Sequence, residues 1–167
     1  EYMQGRTPNP CVMCNLYFKW RYLLEAADRY GCKWVATGHY ARIGKENDMF
    51  YLLKGIDPLK DQSYFLWRLG QKELSRTLFP LGEMKKEDIK KYVLSKGFKE
   101  KVEKKESMEV CFIEDDYREF LKQEVPELPE KVNGGFFVDK EGRKIGRHKG
   151  FPFYTVGQRK GLEIALG

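Results

Sequence analysis

The sequence predicts an α/β protein: part of a parallel sheet with its helices, followed by a smaller β-rich piece. Three observations carry that expectation. "NLYFKWRYLLEAADRYGC" has helical apolar spacing and runs into the β-branched and aromatic "KWVATGHYARI", which reaches a polar loop at Gly38. Helix then strand, with a polar loop at the strand's carboxyl end, is the grammar of a parallel sheet, where ligands bind at strand ends. The Pro-rich "VPELPEKVNGG" reads as a linker, and "GFFVDKEGRKIGRHKG" beyond it reads as two strands about an Asp-Lys-Glu-Gly turn. The boundary is therefore placed near Glu124 to Asn133, giving one domain over 1–124 and a second over 125–167.

Each element has a local reason. In the first helix Phe18, Tyr22, Leu23, Ala26, Ala27 and Tyr30 form the expected apolar face, Asn15 stands at the expected N-cap and Gly31 at the stop. "MFYLLKGID" predicts a second short strand, broken at Asp57-Pro58. "KDQSYFLWRL" reads as helical, capped by Asp61 or Ser63, with Phe65, Leu66 and Leu69 inward. "KKEDIKKYVLSKG" predicts a helix that buries Ile89, Tyr92 and Val93 and stops at Gly97. "SMEVCFI" is strand-like, and "DDYREFLKQE" is a short helix. These elements open on a loop rather than a strand, and a helix with one or two strands is not a self-sufficient parallel sheet. The expectation is that further strands come from elsewhere in a longer chain.

The chain has 167 residues, 41% apolar and 34% charged, which excludes wholesale disorder and allows one domain plus part of another. No apolar run approaches the length of a membrane span, and "EYMQGRTPNP" has no apolar h-region. A cytoplasmic protein is expected. The 31 Lys and Arg against 25 acidic residues leave a net charge of +6, as compatible with a solvated surface as with a polyanion site. Distribution says more. Arg143, Lys144, Arg147, Lys149, Arg159 and Lys160 follow one another without an acidic residue between them, interleaved with His148, Phe151, Phe153 and Tyr154. Such a stretch suits phosphates and exposed bases, and equally an ordinary ribbon with solvent-facing lysines.

The 4 cysteines, Cys11, Cys14, Cys32 and Cys111, are too sparse for a disulfide scaffold. "NPCVMCN" pairs two of them and leaves three chemistries open. Zinc needs two more ligands, and no second Cys-x-x-Cys or His-x-x-x-His supplies them, so no structural metal is expected. A redox pair fits the helix that follows but lacks the strand before it. A nucleophile fits because Cys14 adjoins the expected helix start, where unpaired N–H groups favour a thiolate. On local pattern alone Cys111 and Cys32 read as structural thiols.

"GRTPNPCVMCN", "ATGHYAR", "KDQSYFL", "LFPLGEMKKEDI", "KKESMEVCFI" and "HKGFPFYTVGQRKGL" occur in this order from about Gly5 to the end of the chain. Together they resemble the tRNA-specific 2-thiouridylase family, also called MnmA or TrmU. The resemblance implies the second half of an adenine-nucleotide α-hydrolase-like (PP-loop ATP pyrophosphatase) domain, then the start of a central β-rich, tRNA-binding domain. It implies an enzyme that spends ATP, with Mg, to adenylate the C2 oxygen of wobble uridine 34, and that delivers sulfur to C2 from a cysteine persulfide.

The implied roles carry over residue by residue. Cys14 matches the nucleophile and Cys111 the persulfide carrier, and a Cys14–Cys111 disulfide is implied as the cycle closes. Asn9, Pro10 and Cys11 match a segment on the target base. Gly38 matches an ATP-binding glycine, His39 a tRNA contact, and Lys60, Asp61 and Gln62 a tRNA-contacting tripeptide. The implied partners are tRNA and an upstream sulfur-carrier protein or cysteine desulfurase.

Two departures are visible. Cys11 stands where some members carry Asp, a candidate acid–base group. The Gly-rich phosphate loop written SGGVDSS and the C-terminal barrel of the family are missing from these residues, so the chain alone is expected not to turn over ATP. The alternative from another class is a non-catalytic tRNA-binding fragment.

Overall fold

The structure is a computed structural model that describes residues 1–103, 111, 113, 116–132 and 134–164. The chain divides into two compact units, Asn9–Glu106 and a second formed by Glu1–Pro8 with Ser107–Gly167.

The Asn9–Glu106 unit begins with one long helical stretch. Pro10 opens α1 (Pro10–Cys14) at the first helical position, where its missing N–H costs nothing. The helix widens into a π turn over Asn15–Trp20 and continues as α2 (Arg21–Arg29). Gly31 ends it in the left-handed region at φ 66, so that the Gly31 N–H reaches the Asp28 carbonyl at 3.3 Å and the Cys32 N–H the Ala27 carbonyl at 2.7 Å. Arg76 then locks this corner, pairing with Asp28 at 2.6 Å and donating to the Cys32 and Lys33 carbonyls at 3.0 and 3.2 Å.

The strand that follows is short. β1 (Val35–Ala36) pairs in parallel with β4 (Thr77–Leu78), Val35 opposite Thr77, and this is the parallel sheet of the unit. The strand ends ahead of the loop at Gly38, as expected. The chain passes through Thr37–His39 and enters an antiparallel hairpin, β2 (Ala41–Glu46) with β3 (Met49–Lys54). Asn47 and Asp48, at φ 46 and 62, make its tight turn. "KDQSYFLWRL" does not form a helix. It makes one 3-10 turn, Ser63–Phe65, and Leu66 and Leu69 beyond it enter the core. α3 (Gln71–Leu74), α4 (Lys86–Ser95) and α5 (Lys99–Glu103) complete the unit. α4 ends at Gly97 as expected, yet Tyr92 is 58% exposed rather than inward.

The core of this unit is Trp20, Leu24, Ala27, Val35, Ala41, Leu66, Leu69 and Leu74. Trp20 is wholly buried, and its indole N–H donates to Thr77 Oγ1 at 2.7 Å. Phe18, Tyr22 and Tyr30, the expected inward face of the first helix, are 58%, 57% and 77% exposed. The inward positions are Val12, Asn15, Trp20, Leu24 and Ala27. The wide step from Asn15 to Trp20 is the π turn, where i→i+5 bonding brings residues five apart onto one face.

In the other unit, Asp116 caps α6 (Tyr117–Glu124) by accepting from the Arg118 N–H at 2.9 Å. The Pro-rich stretch read as a linker contains α7 (Leu128–Lys131). Leu128 there is fully buried and packs with Val132 and Phe153. β5 (Gly135–Val138) and β6 (Lys144–His148) form the expected hairpin, with an irregularity between Phe137 and Val138. Asp139 holds its turn by accepting from the Glu141 and Arg143 N–H groups at 3.0 and 2.8 Å. Phe136 sits opposite Arg147 in register, with Lys144 Nζ 4.0 Å from its ring centre. Among the described residues, no helix is long and apolar enough to cross a membrane.

Candidate active site

Cys14 lies at the end of α1, half-buried, and Cys11 lies one turn earlier. The helix starts at Pro10 rather than Asn15, so Cys14 stands at the end of α1 and not at a helix N-terminus, contrary to the expectation from sequence. Asn15 is not a cap either. It is 3% exposed and donates from Nδ2 to the Phe65 carbonyl at 2.8 Å. Asn9 occupies the N-cap position, without a side-chain capping hydrogen bond.

The Thr37–Tyr40 loop leaves the carboxyl end of β1. Gly38 has no left-handed φ, and a Cβ placed on it would meet only Leu81 Cδ1, at 3.8 Å, an ordinary contact. Neither backbone conformation nor packing against this chain demands glycine there. His39 accepts or shares a proton with Thr37 Oγ1 through Nδ1 at 2.9 Å, and its ring lies 5.5 Å from that of Trp20 and 6.2 Å from that of Phe79. Burial, aided by the nearby Lys19 charge, pushes its pKa down to about 4, so the imidazole is neutral at physiological pH.

The tripeptide Lys60-Asp61-Gln62 faces this loop through its backbone. Gln62 N–H donates to the Tyr40 carbonyl at 2.9 Å, and Tyr40 N–H donates to Gln62 Oε1 at 3.0 Å. Asp61 accepts from the Gly55 N–H at 2.9 Å, the Ser63 N–H at 3.2 Å and the Ser63 hydroxyl at 2.8 Å. Desolvation opposes its ionisation, yet these hydrogen bonds hold its pKa below the usual carboxylate value. Asp61 Oδ1 and Oδ2 and Gln62 Oε1 are thus engaged within the protein.

Hydrogen bonds therefore link Asn15, the residue after Cys14, through Phe65 and Gln62 to Tyr40, the residue after His39, inside the Asn9–Glu106 unit. Cys111 belongs to the other unit, in a turn and exposed, and most of "SMEVCFI" around it lies outside the described residues. Cys14, Cys32 and Cys111 carry free thiols, and no disulfide occurs among the described residues. Cys32, expected to be structural, is exposed at the end of the first helical stretch. A cavity of about 200 Å³ between α2 and α3 is lined by Leu16, Arg21, Leu24, Glu25, Asp28, Lys72 and Glu73, none of them a predicted site residue. Among the described residues no group of three or more His, Cys, Asp or Glu side chains is arranged to hold a metal ion. Sequence reasoning missed Asn15 as a buried donor, because its five-residue spacing from Trp20 places the two on one face only through the π turn.

A parallel strand pair with a ligand-type loop at its carboxyl end, followed by a separate hairpin unit, defines an adenine-nucleotide α-hydrolase-like (HUP) domain joined to a small β domain. Residues 1–115 match the family profile described as tRNA methyl transferase HUP domain, and residues 118–167 match the one described as tRNA methyl transferase PRC-barrel domain. The chain is 59% identical over 167 residues to "tRNA-specific 2-thiouridylase MnmA 3" of Bacteroides fragilis, covering 100% of this chain and 46% of that protein. It is 56% identical over 167 residues to the protein of the same name from Phocaeicola vulgatus, covering 100% of this chain and 44% of that one. It is 54% identical over 168 residues to "tRNA-specific 2-thiouridylase MnmA" of Cytophaga hutchinsonii, covering 100% of this chain and 46% of that one. The chain belongs to this family, the tRNA-specific 2-thiouridylases, and spans about half the length of the curated relatives it matches.

Proposed function

We propose that this chain forms part of a tRNA-uridine 2-sulfurtransferase that places sulfur on C2 of wobble uridine 34. The observation that carries the reading is the run of hydrogen bonds from Asn15, next to Cys14, through the Ser63–Phe65 turn to Tyr40, next to His39. A thiol and a nucleotide loop held in one framework suit a reaction in which a base is first activated and then attacked.

ATP, with Mg, supplies one thing: it converts the uridine C2 oxygen into a leaving group that departs as AMP. Gly38 is the residue of this chain suited to a close-approaching nucleotide, since nothing else accounts for its missing side chain. Asn9, Pro10 and Cys11 at the head of α1 border the target base. His39 meets RNA as a neutral hydrogen-bonding group rather than as a cation. Lys60 meets a phosphate, Gln62 keeps its Nε2 for RNA, and Asp61 shapes the turn that presents both.

The sulfur chemistry balances with two cysteines. The terminal sulfur of the Cys111 persulfide forms a bond to C2 as the C2–O bond breaks. The Cys14 thiolate then attacks the Cys111 sulfur, forming the Cys14–Cys111 disulfide and releasing the other sulfur, with its electron pair, on C2. An external thiol reductant restores both thiols, and a sulfur-carrier protein or desulfurase reloads Cys111. The working location is the cytoplasm.

The test is nucleoside analysis of tRNA incubated with ATP, a sulfur donor and the full reading frame that encodes this chain. The expected result is 2-thiouridine with the unaltered protein and none with Cys14→Ser or Cys111→Ser. tRNA binding without thiolation by the unaltered protein supports a non-catalytic RNA-binding role instead.

A further inference from the structure

The helix that carries Cys14 is irregular at the residue after it. The buried positions run Val12, Asn15, Trp20, Leu24, Ala27, and the five-residue step falls in the π turn over Asn15–Trp20. In a regular α-helix two residues five apart point about 140° away from each other, so Asn15 and Trp20 share the inward face only because of this turn. π turns cost helix stability and occur preferentially at functional sites.

Asn15 is itself out of place by polarity. It is 3% exposed, where an apolar side chain would pack without needing a partner. Its amide is satisfied by one long-range hydrogen bond, Nδ2 to the Phe65 carbonyl at 2.8 Å. Apolar packing tolerates rotation, whereas a hydrogen bond to a fixed carbonyl sets direction. Within α1 itself the buried anchor is Val12. The bond continues as a chain of contacts: Phe65 N–H to the Gln62 carbonyl at 3.0 Å, then Gln62 N–H to the Tyr40 carbonyl at 2.9 Å. Asp61 fixes the same turn from its start.

We infer that Asn15 is a positioning residue for Cys14. Through Phe65 and Gln62 it sets the rotation of the α1 turn, and so the aim of the Cys14 thiol, against the Gly38–His39 loop. This rests on the reading of Cys14 as the nucleophile.

The test uses Asn15→Leu, which keeps volume and loses the donor, and Asn15→Asp, which donates through its carboxylic O–H only when protonated. In the full reading frame, Asn15→Leu is expected to lower kcat for thiolation at least tenfold, with KM for ATP and for tRNA within twofold of the unaltered protein. In either the chain or the full reading frame, the pH profile of Cys14 alkylation by iodoacetamide, followed by peptide mass spectrometry, is expected to shift in Asn15→Leu. In Asn15→Asp the ratio to the unaltered protein is expected to recover as pH falls through the range where the carboxyl group protonates. If Asn15→Leu does not fold, the Asn15→Asp profile decides alone. An alkylation profile and kcat equal to those of the unaltered protein would overturn the inference while leaving the thiolation reading intact. Full activity in Cys14→Ser would overturn both.

Discussion

Gln62 and Tyr40 hold each other by two hydrogen bonds, Gln62 N–H to the Tyr40 carbonyl at 2.9 Å and Tyr40 N–H to Gln62 Oε1 at 3.0 Å. One of the two bonds uses a side chain, so it is the one that mutation reaches. Gln62→Leu leaves the Tyr40 N–H without its acceptor, a loss of about 1–3 kcal/mol for a group shielded from water. Amide exchange at Tyr40 is expected to accelerate about tenfold or more, with exchange in α2 unchanged. Gln62→Glu keeps an acceptor oxygen and is expected to keep the Tyr40 amide protected.

The Tyr40 hydroxyl, by contrast, is buried with no hydrogen-bond partner among the described residues. Removing an unsatisfied buried polar atom costs nothing in lost hydrogen bonds. Tyr40→Phe is therefore expected to leave stability unchanged or to raise it by up to about 1 kcal/mol in urea unfolding. A destabilisation of that size would show that the hydroxyl has a partner after all.

Thr77 joins the parallel strand pair to the helix. Its hydroxyl accepts from the Trp20 indole at 2.7 Å and donates to the Glu73 carbonyl at 2.7 Å, and Thr77 is 3% exposed. Thr77→Val keeps the shape and strips both bonds, orphaning a buried indole N–H. A loss of about 2 kcal/mol is expected from urea unfolding, with Thr77→Ser closer to the unaltered protein.

His39 gives the unit a pH signature. Its pKa falls from 6.5 to about 4 on folding, chiefly through burial. Between those values the unfolded chain binds a proton that the folded chain does not. This contribution is therefore complete above pH 6.5 and is lost as pH falls toward about 4. Thermal midpoints are expected to decline across that window, and His39→Phe, which keeps a ring beside Trp20 and Phe79, is expected to flatten the decline. The hydrogen-bonded carboxylates Asp57, Asp61 and Asp116, whose pKa values lie below normal, lose their contributions at lower pH still.

The paired cysteines and the loop at Gly38 were legible because both are local patterns in the chain. The face of the first helix was not. A 3.6-residue repeat assigns Phe18 and Tyr22 inward, but the π turn advances the register and turns them out, and nothing in "NLYFKW" announces that insertion. "KDQSYFLWRL" has helical spacing, yet Asp61 spends its carboxylate on the Gly55 and Ser63 N–H groups and ties the segment into a turn. The hairpin after His39 turns at Asn47-Asp48, without the Asn-Gly that marks such turns most clearly. The Pro-rich stretch hid α7 because Leu128 supplies its burial through tertiary contacts rather than through periodicity.

The claim on which the account depends is that Cys111 delivers sulfur to the uridine and Cys14 then releases it by attacking the Cys111 sulfur. Peptide mapping of the full reading frame after a single turnover with tRNA and ATP, from persulfide-loaded protein without reductant, tests it most directly. The account predicts one Cys14–Cys111 linked peptide for each 2-thiouridine formed. Thiolation without that link, or a link only between Cys11 and Cys14, contradicts it.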